Sequence, residues 1–192
     1  MKQLILISGP MGVGKTTAAR ELLNNIPRSV WLDGDWCWEQ GNHWDFSAEN
    51  KEMVMDNITY VLGNFLANPN FETVIFSWVM HLPEIHEELL ARLEDYDFDV
   101  FDISLVCSED TLRGRIEGRG SDEVERAMSY LPLYDKLDNI KLDTTDRSPT
   151  RVVDDILRVI KTEYSYRNIV VHTKRCSCRV HYTQTSVKNL LV

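Results

Sequence analysis

The sequence predicts an α/β protein in which a parallel sheet is covered by helices on both faces. Short apolar runs, beginning with Leu4-Ile5-Leu6-Ile7, alternate along the chain with stretches whose apolar residues recur at helical spacing. Each return to a parallel strand needs a crossover, and a helix supplies it. The first apolar run leads directly into Gly9-Pro10-Met11-Gly12-Val13-Gly14-Lys15-Thr16, a G-x-x-x-x-G-K-T pattern that needs a buried strand before it and a helix after it.

Taken in order, the first strand covers Leu4 to Ile7, and a helix runs from Thr17 to Asn24 with Ala18, Ala19, Leu22 and Leu23 on its apolar side. Ile26-Pro27-Arg28 breaks the periodicity before a second strand, Ser29 to Leu32, which ends in Asp33-Gly34-Asp35 and a tryptophan-rich turn. Ser47 is the expected N-cap of a long helix burying Val54, Ile58, Val61, Leu62 and Phe65, and Asn68-Pro69-Asn70 stops it. The third strand, Thr73 to Phe76, runs into Ser77-Trp78, and Pro83 suits the first turn of a helix burying Ile85, Leu89 and Leu93. Val100 to Val106 makes the fourth strand. A charged helical segment follows from Glu109, is broken at Gly118-Arg119-Gly120, and resumes through Arg126. Asn139 to Thr144 is the fifth strand, and Ser148-Pro149 starts a last helix with Val152, Val153, Ile156, Leu157 and Ile160 on its apolar side.

The glycine-rich loop carries the chemistry. Its glycines let successive N–H groups converge on an anion, and the helix beginning near Gly14 adds the positive end of its dipole. Lys15 reaches the outer phosphates of a nucleoside triphosphate, and the Thr16 hydroxyl completes the shell of a phosphate-bound magnesium ion. Gly9, Gly12, Val13, Gly14, Lys15, Thr16 and Thr17 are therefore the expected nucleotide-binding residues. In open α/β sheets the ligand crevice lies beyond the carboxyl ends of the strands. That end collects the loop, Asp33-Gly34-Asp35, Ser77-Trp78 and Cys107-Ser108. Asp33 and Asp35 project the same way from an extended segment. Asp35 is the expected acceptor-orienting base and Asp33 the expected magnesium partner.

The loop near the start, the Asp-x-Asp after the second strand and the arginine-bearing segment after the fourth resemble the small P-loop kinases of the shikimate, gluconate and adenylylsulfate kinase group. There is similarity also to nucleotide kinases and chloramphenicol phosphotransferase. The resemblance spans about 1–164 and implies a three-layer P-loop NTPase fold with a five-stranded parallel sheet in the order 2-3-1-4-5 and a short helical lid over about 109–133. It also implies ATP with magnesium as donor and a small hydroxyl-bearing or phosphate-bearing molecule as acceptor, with nucleosides, nucleotides, sugar acids and antibiotics all open. Arg115 matches the adenine-stacking arginine at the start of the lid, and Arg119 and Arg126 match the catalytic arginines that offset charge further along; the same arginines also fit an exposed helix laced with Glu117, Glu123 and Glu125. One departure counts. The third strand ends Val74-Ile75-Phe76-Ser77, without the acid that many P-loop enzymes place there for magnesium.

Other residues bear on the acceptor. Trp36, Trp38, Trp44 and Trp78 offer aromatic walls or core filling, while Trp31 belongs to the second strand. His43, His81 and His86 have no ligand spacing, though His81 stands at a strand end; Arg147, after the fifth strand, is a flank for the base. A net charge of -9 argues against a nucleic-acid polymer as partner. The N-terminal apolar run is too short for a secretion signal and no stretch suits a membrane span, so a cytoplasmic protein is expected. After Glu163 the chain has no acid but carries Arg167, Lys174, Arg175, Arg179 and Lys188, which reads as a loosely attached basic appendage over 165–192. Its His172, Cys176, Cys178 and His181 lack zinc-finger spacing. The leading expectation is a kinase acting on a small molecule. The alternative is a nucleotide-dependent switch or ATP-binding module, and the chain lacks the Asn-Lys-x-Asp that would read guanine. Oligomeric state is not legible.

Overall fold

A computed structural model describes residues 1–41 and 45–170, with side chains to residue 162. Five parallel strands, β1 (Lys2–Ser8), β2 (Ser29–Asp33), β3 (Thr73–Ser77), β4 (Phe98–Val106) and β5 (Ile140–Asp143), form one sheet in the order β2-β3-β1-β4-β5. This is the order that the resemblance implies. The central strand β1 sets Leu4 beside Val74 on one side and Val100 on the other. Buried on both faces, it needs the unbroken apolar run that the sequence shows.

The helices are α1 (Lys15–Asn25), α2 (Ala48–Ala67), α3 (Pro83–Ala91), α4 (Glu109–Arg115), α5 (Ser121–Tyr130) and α6 (Pro149–Val170). Several start where capping chemistry dictates. The Ser47 hydroxyl accepts from the Asn50 amide, Ser108 does the same for Thr111, and Pro83 opens α3. One core layer packs Ile5 and Ile7 of β1 against Ala19 and Leu22 of α1 and Ile156 of α6; the opposite layer packs Leu4 and Leu6 against Ile58 and Leu62 of α2 and Leu89 of α3.

Two helices bury a slightly different face from the one the spacing suggests. In α2 the fully buried set includes Met55 and Leu66, while Val61 and Phe65 are half-buried. In α3 His86 is buried and Ile85 is not, because the imidazole has polar partners inside. Helix α6 runs through residue 164 to Val170. The rest of the expected appendage, with His172, Cys176, Cys178 and His181, lies outside the described residues, as do His43 and Trp44.

Candidate active site

The loop between β1 and α1 turns on glycines with left-handed backbones. Gly12 has φ 83°, and a Cβ there would sit 2.2 Å from the Cγ2 of Ile116, at the end of α4. Both the conformation and the close approach demand glycine. Gly14, φ 112°, precedes the first residue of α1, while Gly9, φ 149°, passes close to the Leu105 carbonyl. The Lys15 ammonium donates to the Gly9 and Pro10 carbonyls at 2.9 and 3.0 Å. Enclosure of that ammonium, with a smaller contribution from the nearby Arg119, lowers its pKa to about 8 against the pull of the Asp35 and Asp33 carboxylates. Thr16 and Thr17 are exposed at the start of α1, and Val13 is buried.

Asp33 ends β2. One of its oxygens accepts from the Asp35 amide at 3.2 Å and the other from the Thr16 hydroxyl at 3.1 Å. In register beside Asp33 is Ser77, the end of β3, whose hydroxyl accepts from the Trp31 indole N–H at 3.0 Å. The carboxylate missing from β3 thus stands on the neighbouring strand, within reach of the same threonine. Thr16 and Asp33 together offer the hard oxygen donors that magnesium takes alongside phosphate oxygens and water. No cluster of three or more acidic, histidine or cysteine side chains that would cage a metal exists among the described residues. That donor set fits an ion held mainly by its nucleotide.

Asp35 follows in a 3-10 turn over Gly34–Cys37. Its side chain is exposed at the end of the sheet, yet partial enclosure by protein raises its pKa. Asp33 raises it again, and Lys15 and a hydrogen bond from the Trp78 side chain oppose the rise. Trp78 also packs against Gly34, where a Cβ would be 2.5 Å from the indole. The Asp-Gly-Asp spacing therefore reflects packing as well as chemistry: the glycine admits the ring that orients Asp35.

The predicted lid arginines divide. Arg115 leaves α4 to donate to the Val13 carbonyl at 3.1 Å and to the Thr144 hydroxyl and carbonyl at 2.9 and 2.7 Å. It ties the loop to the end of β5. Arg119 pairs with Glu123 on the exposed side of the lid and still acts on Lys15. Arg126 stands over the Phe46 ring at 5.5 Å. Arg147 pairs with Asp155, and Arg113 is exposed. Among the tryptophans, Trp38 is buried in the core, whereas Trp36 is exposed and Trp78 half-buried.

Sequence reasoning missed a buried polar network behind the site. His86 places Nδ1 2.8 Å from Asp102 and Nε2 2.8 Å from the Met80 carbonyl. The other Asp102 oxygen accepts from Asn139 at 2.9 Å, Asn139 also meets Ser104, and Ser104 meets Ser8, the residue before the loop. Met80 has φ 27°, an unusual backbone for a non-glycine residue. Tyr134, fully buried after α5, donates its hydroxyl to the Val79 carbonyl. A signal existed for Asp102 and Ser104: with Asp99 they are the polar residues of a mainly apolar strand, and polar residues buried there imply partners.

Comparison with known proteins bears directly on this arrangement. The family model described as "AAA domain" matches residues 5–142, from β1 into β5. The chain belongs to this AAA domain family. Among its relatives, a protein from Pyrococcus furiosus named "Putative adenylate kinase" is 26% identical over 176 residues, covering 89% of this chain and 92% of that one. The shikimate kinase of Enterococcus faecalis is 26% identical over 183 residues, covering 84% and 99%. The APS kinase of Mycobacterium tuberculosis, solved in complex with AMPPNP and APS, shares the fold with a TM-score of 0.58 at 21% identity, covering 83% of this chain and 96% of that one. The small P-loop kinase resemblance read from the sequence therefore holds. No helix among the described residues is long and apolar enough to cross a membrane.

Proposed function

We propose that this AAA domain protein is an ATP- and magnesium-dependent phosphotransferase that moves the γ-phosphoryl group to a hydroxyl of a small molecule. The observation that carries this reading is the convergence of Lys15, Thr16, Asp33 and Asp35 at one end of the sheet, joined by the Thr16–Asp33 hydrogen bond at 3.1 Å. Backbone N–H groups of Gly12, Gly14 and Lys15 receive the β and γ phosphates, and the Lys15 ammonium exchanges the Gly9 and Pro10 carbonyls for phosphate oxygens. Thr16 and Asp33 would hold a magnesium ion, which would supply positive charge beside the transferred group. Val13, Thr17 and Arg115 line the nucleotide side, with Arg115 holding the loop against β5. Asp35 accepts the hydrogen bond of the acceptor hydroxyl and aims its oxygen at the γ phosphorus. The new O–P bond forms as the Pβ–O–Pγ bridge breaks, ADP leaves, and the hydroxyl proton passes to Asp35. Arg119 and Arg126 supply positive charge from the lid during transfer.

The test is ADP release measured with magnesium-ATP, with and without a panel of hydroxyl-bearing acceptors. A kinase shows acceptor-dependent turnover. Slow hydrolysis indifferent to every acceptor fits a switch instead. Asp35→Asn is expected to lower turnover by about 10² or more while ATP affinity is retained. Unchanged turnover in that variant removes Asp35 from its role.

A further inference from the structure

We propose that Tyr134 is a positioning residue for phosphoryl transfer: its hydroxyl holds the segment after β3 in place, and through Trp78 on that segment it sets the aim of Asp35. The inference rests on the phosphotransferase reading and adds a residue to the same site.

The segment from Trp78 to Leu82 joins β3 to α3 without regular structure of its own. The Trp78 amide still reaches the sheet, donating to the Ile7 carbonyl at 3.1 Å. Two residues later Met80 takes φ 27°, a backbone that a side chain disfavours and that persists only where the surroundings fix it. Side chains from later in the chain do so here. The Met80 carbonyl accepts from His86 Nε2 at 2.8 Å, the Val79 carbonyl accepts from the Tyr134 hydroxyl, and the His81 ring stacks on Tyr130 with centres 4.0 Å apart and planes 8° from parallel. Residues 79, 80 and 81 are each held by a different side chain.

Of these holds, Tyr134 is the one that spans the site. Its ring is fully buried in the turn Leu131–Lys136 that follows α5. Its oxygen donates to Val79 and receives a backbone hydrogen bond from Gly9, the first residue of the phosphate loop. One atom therefore ties the loop to the segment carrying Trp78, and Trp78 in turn packs on Gly34 and bonds Asp35. Burial, with the neighbouring Tyr130 phenol, pushes the Tyr134 pKa far above its ordinary value against the Gly9 bond, so the hydroxyl stays protonated and its contribution is geometric. Phosphoryl transfer is sensitive to such geometry, because misplacing a reacting group by about 1 Å costs up to about a hundredfold in rate. The loop depends on this bond less than the segment does, since its glycines fix its curl and Arg115 ties it to the end of β5. Loss of the hydroxyl is therefore expected to disturb Asp35 more than ATP binding.

The experiment compares Tyr134→Phe, which keeps the ring and removes the hydroxyl, with Ile160→Val, which trims a buried side chain far along α6. Indole N–H resonances are read first in the isotope-labelled full-length protein, with the Trp78 and Trp31 signals assigned by their loss in Trp78→Phe and Trp31→Phe. Tyr134→Phe should move the Trp78 signal and leave that of Trp31, whose indole bonds Ser77 within the sheet; Ile160→Val should move neither. Turnover is then measured as ADP release from magnesium-ATP with adenosine, AMP, shikimate and gluconate as probes, using whichever stimulates the wild type most. Tyr134→Phe should lower kcat about tenfold with KM for ATP within about twofold, whereas Ile160→Val keeps the wild-type kcat. Added to Trp78→Phe, Tyr134→Phe should lower kcat by less than about twofold more, because both act along one route. An unmoved Trp78 resonance, an unchanged kcat in Tyr134→Phe or full additivity with Trp78→Phe overturns the inference and leaves the phosphotransferase reading intact. A wild type that binds magnesium-ATP by calorimetry yet answers to no probe overturns both.

Discussion

The two halves of the candidate site are built from different materials. The phosphate side is made of backbone: N–H groups of one eight-residue loop, a glycine-fixed curl, and a helix start, all within Gly9–Thr16. The side around Asp35 is made of side chains from separate segments: Trp78 packs on Gly34 and bonds Asp35, His81 stacks on Tyr130, and Arg126 covers Phe46. A site made of backbone tolerates only the residues that permit its φ angles, so it is written in a contiguous pattern. A site made of side chains is written nowhere contiguously and can change its ligand by changing single rings.

The comparison breaks most sharply at Lys15. Lys15→Ala removes the mobile charge of the phosphate side while leaving the Asp35 side chain and Trp78 in place, and turnover is expected to fall about a thousandfold, roughly 4 kcal/mol of transition-state stabilisation. Steady-state ADP release with saturating acceptor measures it. Acceptor binding followed by tryptophan fluorescence should survive, since Trp36 and Trp78 remain. Loss of both would mean that the two halves do not act separately.

A second test addresses what holds the acceptor side up. Both nitrogens of His86 face acceptors, the Asp102 carboxylate and the Met80 carbonyl, so the geometry is satisfied by an imidazolium. Burial alone lowers the pKa of this ring, but the hydrogen bond and charge of Asp102 and the Met80 carbonyl together raise it above 6.5. A raised folded-state pKa contributes stability that is fully present below the unfolded value and is lost as pH rises through the folded one. Melting temperature should therefore fall as pH climbs from about 6.5 through the folded pKa of His86, and His86→Ala should abolish that slope. The same variant leaves Asp102 buried without its cation and should cost about 3 kcal/mol, a drop in Tm of roughly 6–12 °C. An NMR titration placing the His86 pKa at or below 6.5 would sink this account.

The third test is aimed between the halves. Gly34→Ala puts a methyl 2.5 Å from the Trp78 ring and should displace it from Asp35 at a cost of about 1–3 kcal/mol. The expected readout is lower kcat with acceptor, KM for ATP unchanged, and a shifted tryptophan emission. If KM for ATP rises equally, the phosphate loop leans on Trp78 as well.

What was legible follows from the same division. Sheet order, helix starts at Ser47, Pro83 and Ser108, and the loop all depend on local pattern or on a resemblance anchored in that pattern, and each is present in the fold. The exact meaning of Asp-Gly-Asp was half legible: the two acids stand out in sequence, but the reason for the glycine is Trp78, 44 positions later. His86 was unreadable, since its worth depends on Asp102 and on a carbonyl at Met80 whose backbone angle no propensity foretells. The division of the arginines was equally hidden. Arg115, Arg119 and Arg126 look alike along the lid, yet one ties down the loop, one pairs with Glu123 and one covers a ring.

The smallest expected effect concerns the strand that lacks its acid. The Ser77 hydroxyl, at the end of β3, accepts the Trp31 indole N–H in a fully buried position beside Asp33. A carboxylate in place of Ser77 would stand next to Asp33 with no cation of its own, whereas a hydroxyl accepts the indole and leaves the negative charge to Asp33 alone. Trp31→Phe keeps most of the ring but removes the donor, so the serine loses one buried partner and stability should fall by about 1 kcal/mol, a Tm change of roughly 2–4 °C. Because Asp33 still receives the Thr16 hydroxyl, magnesium dependence of turnover should not move. A shift in the magnesium requirement of Trp31→Phe would instead mean that Ser77, freed from the indole, joins Asp33 and Thr16 around the ion.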